Sequence, residues 1–293
     1  MFLWNIIVSE ICGSSSARDR LAAPSCPATL LKLIKTMINL QLRNFKRYIW
    51  MLIRKIFVSN DEIFSPHGIS VKVPKDADIA IRYLLARGRP YEGPEADMVI
   101  KYLQRDMNVI ELGGCYGIIS ALIRKQIGPD ARHIIVEADP TLAKICACNA
   151  NLENTNNMAD VVVAAVDYSG AKEIEFAPGP NAHAGHVANA GEPGFTVPTT
   201  TLAEQVLKLP KNEFILVCDI EGAELDLFKN EKKALSRVYL LILETHPKIY
   251  PGKKLDYEKI QENIKNIGLV EIEKSGAVVC FASKTALKDL KLD

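Results

Sequence analysis

From residue 108 onward, short apolar runs alternate with stretches of helical periodicity, and few folds accept that rhythm. The runs are 108–112, 132–137, 160–166, 213–218 and 238–244, with helices predicted at 116–127, 140–152, 201–208 and 222–229. Strands separated by helices must cross over, which builds a parallel sheet with helices on both faces. A last helix over 256–267 leads into strands 269–273 and 277–282, joined at Ser275-Gly276, and so tight a turn makes one of them antiparallel. Upstream, "GISVKVP" (68–74) predicts a short strand. Two helices follow, 76–88 with Asp76 or Asp78 near its cap and 93–106 with Pro94 in its first turn. The segment from 178 to 198, rich in glycine and proline, reads as an irregular excursion that forms part of a ligand-site wall or a lid. The expected domains are an α/β body over 61–293 and an N-terminal arm over 1–60.

The arm is basic. Residues 21–60 hold seven Lys or Arg and no acid, although the whole chain carries only +1, so the remainder is acidic and is not built to grip nucleic acid. On a helical projection Lys32, Lys35, Arg43, Lys46, Arg47 and Arg54 share one face, while Met37, Ile38, Phe45, Tyr48, Ile49, Leu52 and Ile56 fall opposite. Two readings stand: residues 30–57 lie on an anionic membrane surface, or the apolar face packs on the body. No run reaches the length of a membrane span. The seven cysteines lack paired CxxC spacing and read as reduced thiols of a cytoplasmic protein; Cys146 and Cys148, two apart on a helix, point away from each other.

The stretch "VIELGGCYGIIS" (109–120) places an acid and a glycine cluster at a strand end. A dinucleotide site needs G-x-G-x-x-G, and both registers fail, at Cys115 and Ile118 or at Tyr116 and Ile119. Gly113, Gly114 and Gly117 still allow a close approach, and Glu111 repels phosphate but welcomes a cation or a hydroxyl. The next strand ends in Glu137, placed for two ribose hydroxyls, and the third ends near Asp167, placed for an adenine amine. Together these acids suit S-adenosylmethionine (SAM), which has no phosphate and carries an ammonium and a sulfonium. Acids at strand ends also serve as plain helix caps.

The fourth run, "FILVCDIEGAELDLF", delivers Asp219, Glu221 and Glu224, and the fifth, "YLLILETHP", ends in Glu244 and His246. The order "ELGGCYG", "VEADP", "VPTTTL" (197–202), "DIEGAE" (219–224) and "ETH" (244–246) resembles the FkbM-type methyltransferases over about residues 90–283. Glu111 stands where that family has Asp, and Cys115 where Asn is common. The resemblance implies a Rossmann-like class I methyltransferase fold, a mostly parallel seven-stranded sheet with one antiparallel strand. It also implies SAM-dependent O-methylation of a small-molecule, glycan or lipid acceptor.

Glu111, Gly113, Gly114, Gly117, Glu137, Asp167 and Asp219 are then the cofactor-binding candidates, and Asp219, His246 and Glu221 the catalytic ones. Such chemistry needs a base for the hydroxyl proton, and Asp219 and His246 are the candidates, His246 being ordinarily neutral at working pH. His246 equally serves to order the turn at Thr245-His246-Pro247, and Glu221 and Glu224 to favour a helix start. A divalent ion on Asp219, Glu221 and His246 is conceivable, but no metal is assigned. His183 and His186 form an H-x-x-H that lacks a third ligand nearby, and they read as solvated. Tyr91 and Glu92 either close over the cofactor or only begin a helix. The competing classes are a nicotinamide dehydrogenase, opposed by the missing second glycine, and a binding module without turnover.

Overall fold

The computed structural model describes residues 27–153, 158–179, 185–188, 191–210 and 212–292. His183 and the segment before residue 27, with Cys12 and Cys26, lie outside the described residues. The chain divides into two compact units, Met1–Ile49 and Trp50–Asp293. In the first, helix α1 begins at Pro27 and runs to Phe57 in the second. Met37, Phe45, Tyr48 and Ile49 are exposed on it beside Lys35, Arg43 and Lys46. Among the described residues no helix is long and apolar enough to cross a membrane.

The second unit takes in the last turns of α1. Met51 is buried, Trp50 meets the Tyr83 ring edge-on at 5.6 Å, and the Arg54 guanidinium donates to the carbonyls of Asp61 and Ile63. A small hairpin follows, β1 (Ile63–Phe64) with β2 (Val71–Lys72). Helices α2 (Ile79–Ala86), capped by the Asp78 carboxylate on the Ala80 amide, and α3 (Gly93–Tyr102) lead to the main sheet. That sheet contains β3 (Val109–Leu112), β4 (His133–Glu137), β5 (Asp160–Val163), β10 (Phe214–Cys218), β11 (Val238–Glu244), β12 (Val270–Ser275) and β13 (Val278–Ala282).

Its order is β12-β13-β11-β10-β3-β4-β5, and β13 alone runs antiparallel to its neighbours. The Rossmann-like sheet expected from the sequence is thus observed. Strand direction explains the core, because successive side chains face opposite sides. Val109, Ile215, Val217, Leu240 and Ile242 pack on α3 and on α4 (Ile118–Ile127). Ile110, Leu112, Leu216, Cys218, Leu241 and Leu243 pack with residues of α6 (Leu202–Val206), α7 (Glu224–Asn230) and α9 (Lys254–Asn266). From β3 the chain moves outward through α5 (Pro140–Ala150) to β5, then returns to β10 on the other side. The reversal between β3 and β10 opens a crevice at their carboxyl ends, where such sheets bind ligands.

Four segments depart from the sequence-based expectation. The run 160–166 breaks at Ala164, whose amide is drawn to the Glu137 carbonyl, and its end becomes β6 (Ala165–Val166). β6 joins a second sheet with β9 (Phe195–Thr200), β7 (Glu173–Ala177) and β8 (His186–Val187), so the supposed irregular excursion is in part a small sheet. In β7 only Ile174, Phe176 and Ala177 turn away from solvent, a half-exposed alternation diluted by two glutamates. Helices α8 (Lys232–Leu235) and α10 (Lys284–Leu290) are short, and they lacked the periodic stretch that helix prediction needs.

Candidate active site

At the crevice lies a cavity of about 1110 Å³. Gly113, Cys115 and Tyr116 come to its wall from the turn after β3, Glu137, Ala138 and Asp139 from the end of β4, and Asp167 and Tyr168 from the end of β6. Asp219, Ile220, Glu221 and Gly222 come from the end of β10, and Phe176, His186 and Val187 from the small sheet. Eight described wall residues are acids (Asp76, Asp78, Glu137, Asp139, Asp167, Asp219, Glu221 and Asp226), and none is Lys or Arg. A pyrophosphate would meet only repulsion there, whereas a cationic or hydroxyl-rich ligand is favoured.

The three glycines serve the protein's own packing. Gly113 sits at φ +93°, and a Cβ on it would fall 1.8 Å from the Asp219 carbonyl oxygen. Its freedom lets the ends of β3 and β10 close on each other. A Cβ on Gly114 would strike Ile135 and Cys146, and one on Gly117, at φ +71°, the backbone of Cys146. Gly113 alone of the three reaches the cavity wall. Glu111 is also absent from the wall: facing α4, 2% exposed, it accepts from Ser120 Oγ at 2.8 Å and lies 2.9 Å from His133 Nε2.

Glu137 fastens two loops. Its Oε2 accepts the Cys115 amide at 2.7 Å and its Oε1 the Asp139 amide at 2.8 Å. Burial pushes its carboxyl above the usual range, against those amides. Asp167 accepts from the amide and hydroxyl of Ser169.

Behind the wall, His246 gathers acids. Its Nδ1 lies 3.0 Å from Oε1 of the fully buried Glu224, and its Nε2 lies 3.5 Å from both Asp219 Oδ1 and Glu221 Oε2 and 3.9 Å from Glu244 Oε1. Burial draws its pKa down, but the Glu224 bond and the charges of Asp219 and Glu221 outweigh that and raise it to about 9. His246 is therefore charged at neutral pH, contrary to the expectation of a neutral imidazole. Burial, then Glu244, pushes Asp219 well above the usual carboxyl range, and burial, then Glu92, does the same to Glu95.

The structure thus brings Gly113, Glu137, Asp167, Asp219 and Glu221 to one wall, with His246 against two of them. Glu95 was missed by sequence reasoning, because a glutamate in the first turn of α3 looks like ordinary dipole compensation. Tyr91 is buried with its hydroxyl toward Cys115 Sγ, and Glu92, at φ 44°, precedes α3; neither reaches the wall. They begin the helix. His186 lies on the wall, 3.2 Å from Glu192.

Among curated proteins none matches the chain in sequence. Solved structures of similar fold are distant. A TehB-like SAM-dependent methyltransferase from Corynebacterium glutamicum is 15% identical, over 70% of this chain and 95% of its own, at a TM-score of 0.39. An O-methyltransferase from Bacillus cereus, in complex with SAH, is 11% identical over 64% of this chain and 78% of its own, at 0.38. Aeropyrum pernix fibrillarin, with natively bound S-adenosyl-L-methionine, is 11% identical over 64% of this chain and 73% of its own, also at 0.38. Likenesses this distant say nothing of chemistry. The profile of the Methyltransferase FkbM domain is more telling: it matches residues 111–268, from the strand of the glycine turn through both acid-bearing strand ends to the close of α9, and by that match over more than half of its length the chain belongs to the FkbM methyltransferase family.

Proposed function

We propose that this methyltransferase transfers the sulfonium methyl of SAM to an acceptor hydroxyl. The observation that carries the reading is the cavity wall, rich in carboxylates and without lysine or arginine among its described residues. Glu137 takes the ribose diol, each of its oxygens keeping a lone pair after its amide bond. Asp167 faces the adenine amine, and Asp219 and Glu221 the methyl. An oxygen lone pair of the acceptor attacks the methyl carbon in line, the C–S electrons stay on sulfur as a neutral thioether, and the hydroxyl proton passes to a carboxylate. Asp219, on the wall, is the base; His246, already charged and behind it, positions Asp219 and Glu221. The acceptor that the family resemblance suggests is a glycan, a glycolipid or a secondary metabolite.

Calorimetry on the full chain with SAM and NAD in parallel tests this. SAM is expected to bind and NAD not. Glu137→Gln should weaken SAM by about 10–100-fold, since hydrogen bonds to a charged group contribute about 1.5–3 kcal/mol. Binding of NAD without SAM would refute the reading. Methyl-label transfer into a fractionated cell extract, glycans and lipids separated, then identifies the acceptor class.

We also read α1 as a contact for anionic bilayers, because Met37, Phe45, Tyr48 and Ile49 are exposed opposite a basic face and no acid lies between Pro27 and Phe57. Lys35→Glu with Lys46→Glu should abolish co-sedimentation with phosphatidylserine vesicles. Sedimentation that survives both changes would remove this idea.

A further inference from the structure

His246 meets carboxylates at both ring nitrogens, and the two sides differ. On the Nδ1 side, Glu224 is fully buried and held in place, because its other oxygen, Oε2, accepts the Gly222 amide at 2.9 Å. This contact fixes the plane of the imidazole and turns Nε2 toward Asp219 Oδ1, Glu221 Oε2 and Glu244 Oε1, at 3.5, 3.5 and 3.9 Å. Those separations are long for hydrogen bonds. They suit atoms that share an ion, for ligands bonded at about 2.1 Å stand roughly 3.0–3.5 Å apart around it.

Two further observations point the same way. Asp219 Oδ1 is enclosed and has no hydrogen-bond partner, and an enclosed acceptor left unsatisfied is costly unless something meets it. An imidazole whose far nitrogen is held by a buried carboxylate is also the arrangement that orients histidines bound to metals.

We propose that Asp219 Oδ1 and His246 Nε2, with Glu221 and Glu244 beside them, bind a divalent cation that displaces the Nε2 proton, Glu224 acting as the positioning residue. Oxygen ligands outnumber nitrogen, which selects Mn²⁺ or Mg²⁺ over softer metals. The ion's role rests on the methyltransferase reading: bound next to the methyl, it holds the acceptor oxygen and lowers the pKa of its hydroxyl, whose proton leaves to a wall carboxylate.

The test uses the full chain, stripped with EDTA and titrated with MnCl2, free Mn²⁺ being followed by electron paramagnetic resonance. One ion per chain is expected, with pulsed-resonance modulation from one imidazole nitrogen. Asp219→Asn and His246→Gln should each weaken binding by at least tenfold, while Glu258→Gln, on the surface of α9, should leave it unchanged. Absence of the nitrogen modulation in the parent chain overturns the proposal without any variant having to fold. So does undiminished binding in either folded variant. SAM calorimetry on the same stripped sample separates the two claims: SAM binding without a Mn²⁺ site refutes only the ion, and a Mn²⁺ site without SAM binding refutes only the function.

Discussion

Asp219→Asn should remove methyl transfer and leave the metal-free chain at least as stable as its parent. The expected fall in kcat is about 10²–10⁴, the usual contribution of a positioned base. The expected gain in stability comes from the neighbourhood. Asp219 is largely enclosed, and Glu244, Glu92 and Glu221 all disfavour its ionised form, with His246 opposing them. A neutral side chain of the same shape escapes that repulsion, and in EDTA the melting temperature should rise by about 2–4 °C, as for roughly 1 kcal/mol in a domain of this size. Activity bought with stability is common at such sites. Turnover within tenfold of the parent would show that another group takes the proton.

Gly113→Ala should cost about 2–6 kcal/mol, measured as the shift in urea midpoint, or prevent recovery of folded protein. Two effects combine. A left-handed backbone costs a residue with a Cβ about 1–3 kcal/mol, and the added methyl overlaps the Asp219 carbonyl, a backbone atom that cannot rotate away. Moving it would pull apart the pairing of Leu112 with Cys218, where β3 and β10 meet. Gly276→Ala separates the contributions, because Gly276 lies at φ +63° with nothing within 4 Å of a Cβ and so carries the conformational part alone. Equal losses for the two substitutions would mean that the close approach at Gly113 is not what the glycine is for.

The sheet was legible because its five buried strands are largely apolar runs; β11 (Val238–Glu244) matches its expected span residue for residue. The small sheet was not, since β7 and β8 are largely exposed, β6 is only two residues long, and β9 passes through Pro198. In the site, sequence located the strand-end acids but not the way each one faces. Glu111 is two residues before Gly113 and on the opposite side of its strand from Leu112, and when both faces of a sheet are buried, alternation does not tell which one a ligand sees. Glycines pose the same difficulty: a demand for closeness is readable, whereas the neighbour, here Ile135, Cys146 or Asp219, is supplied by the fold. The His246–Glu224 contact joins residues 22 apart and follows only from β11 lying beside β10.

In the proposed mode, where Glu137 takes the ribose diol, its double grip on Cys115 and Asp139 has a consequence for how the nucleoside is received. Its carboxylate is already immobile, so docking freezes no rotamer there, a saving of about 0.5–1.5 kcal/mol over a mobile glutamate. Both loops should look alike in the resting and loaded chain, and capture should then be as quick as diffusion into the cavity permits.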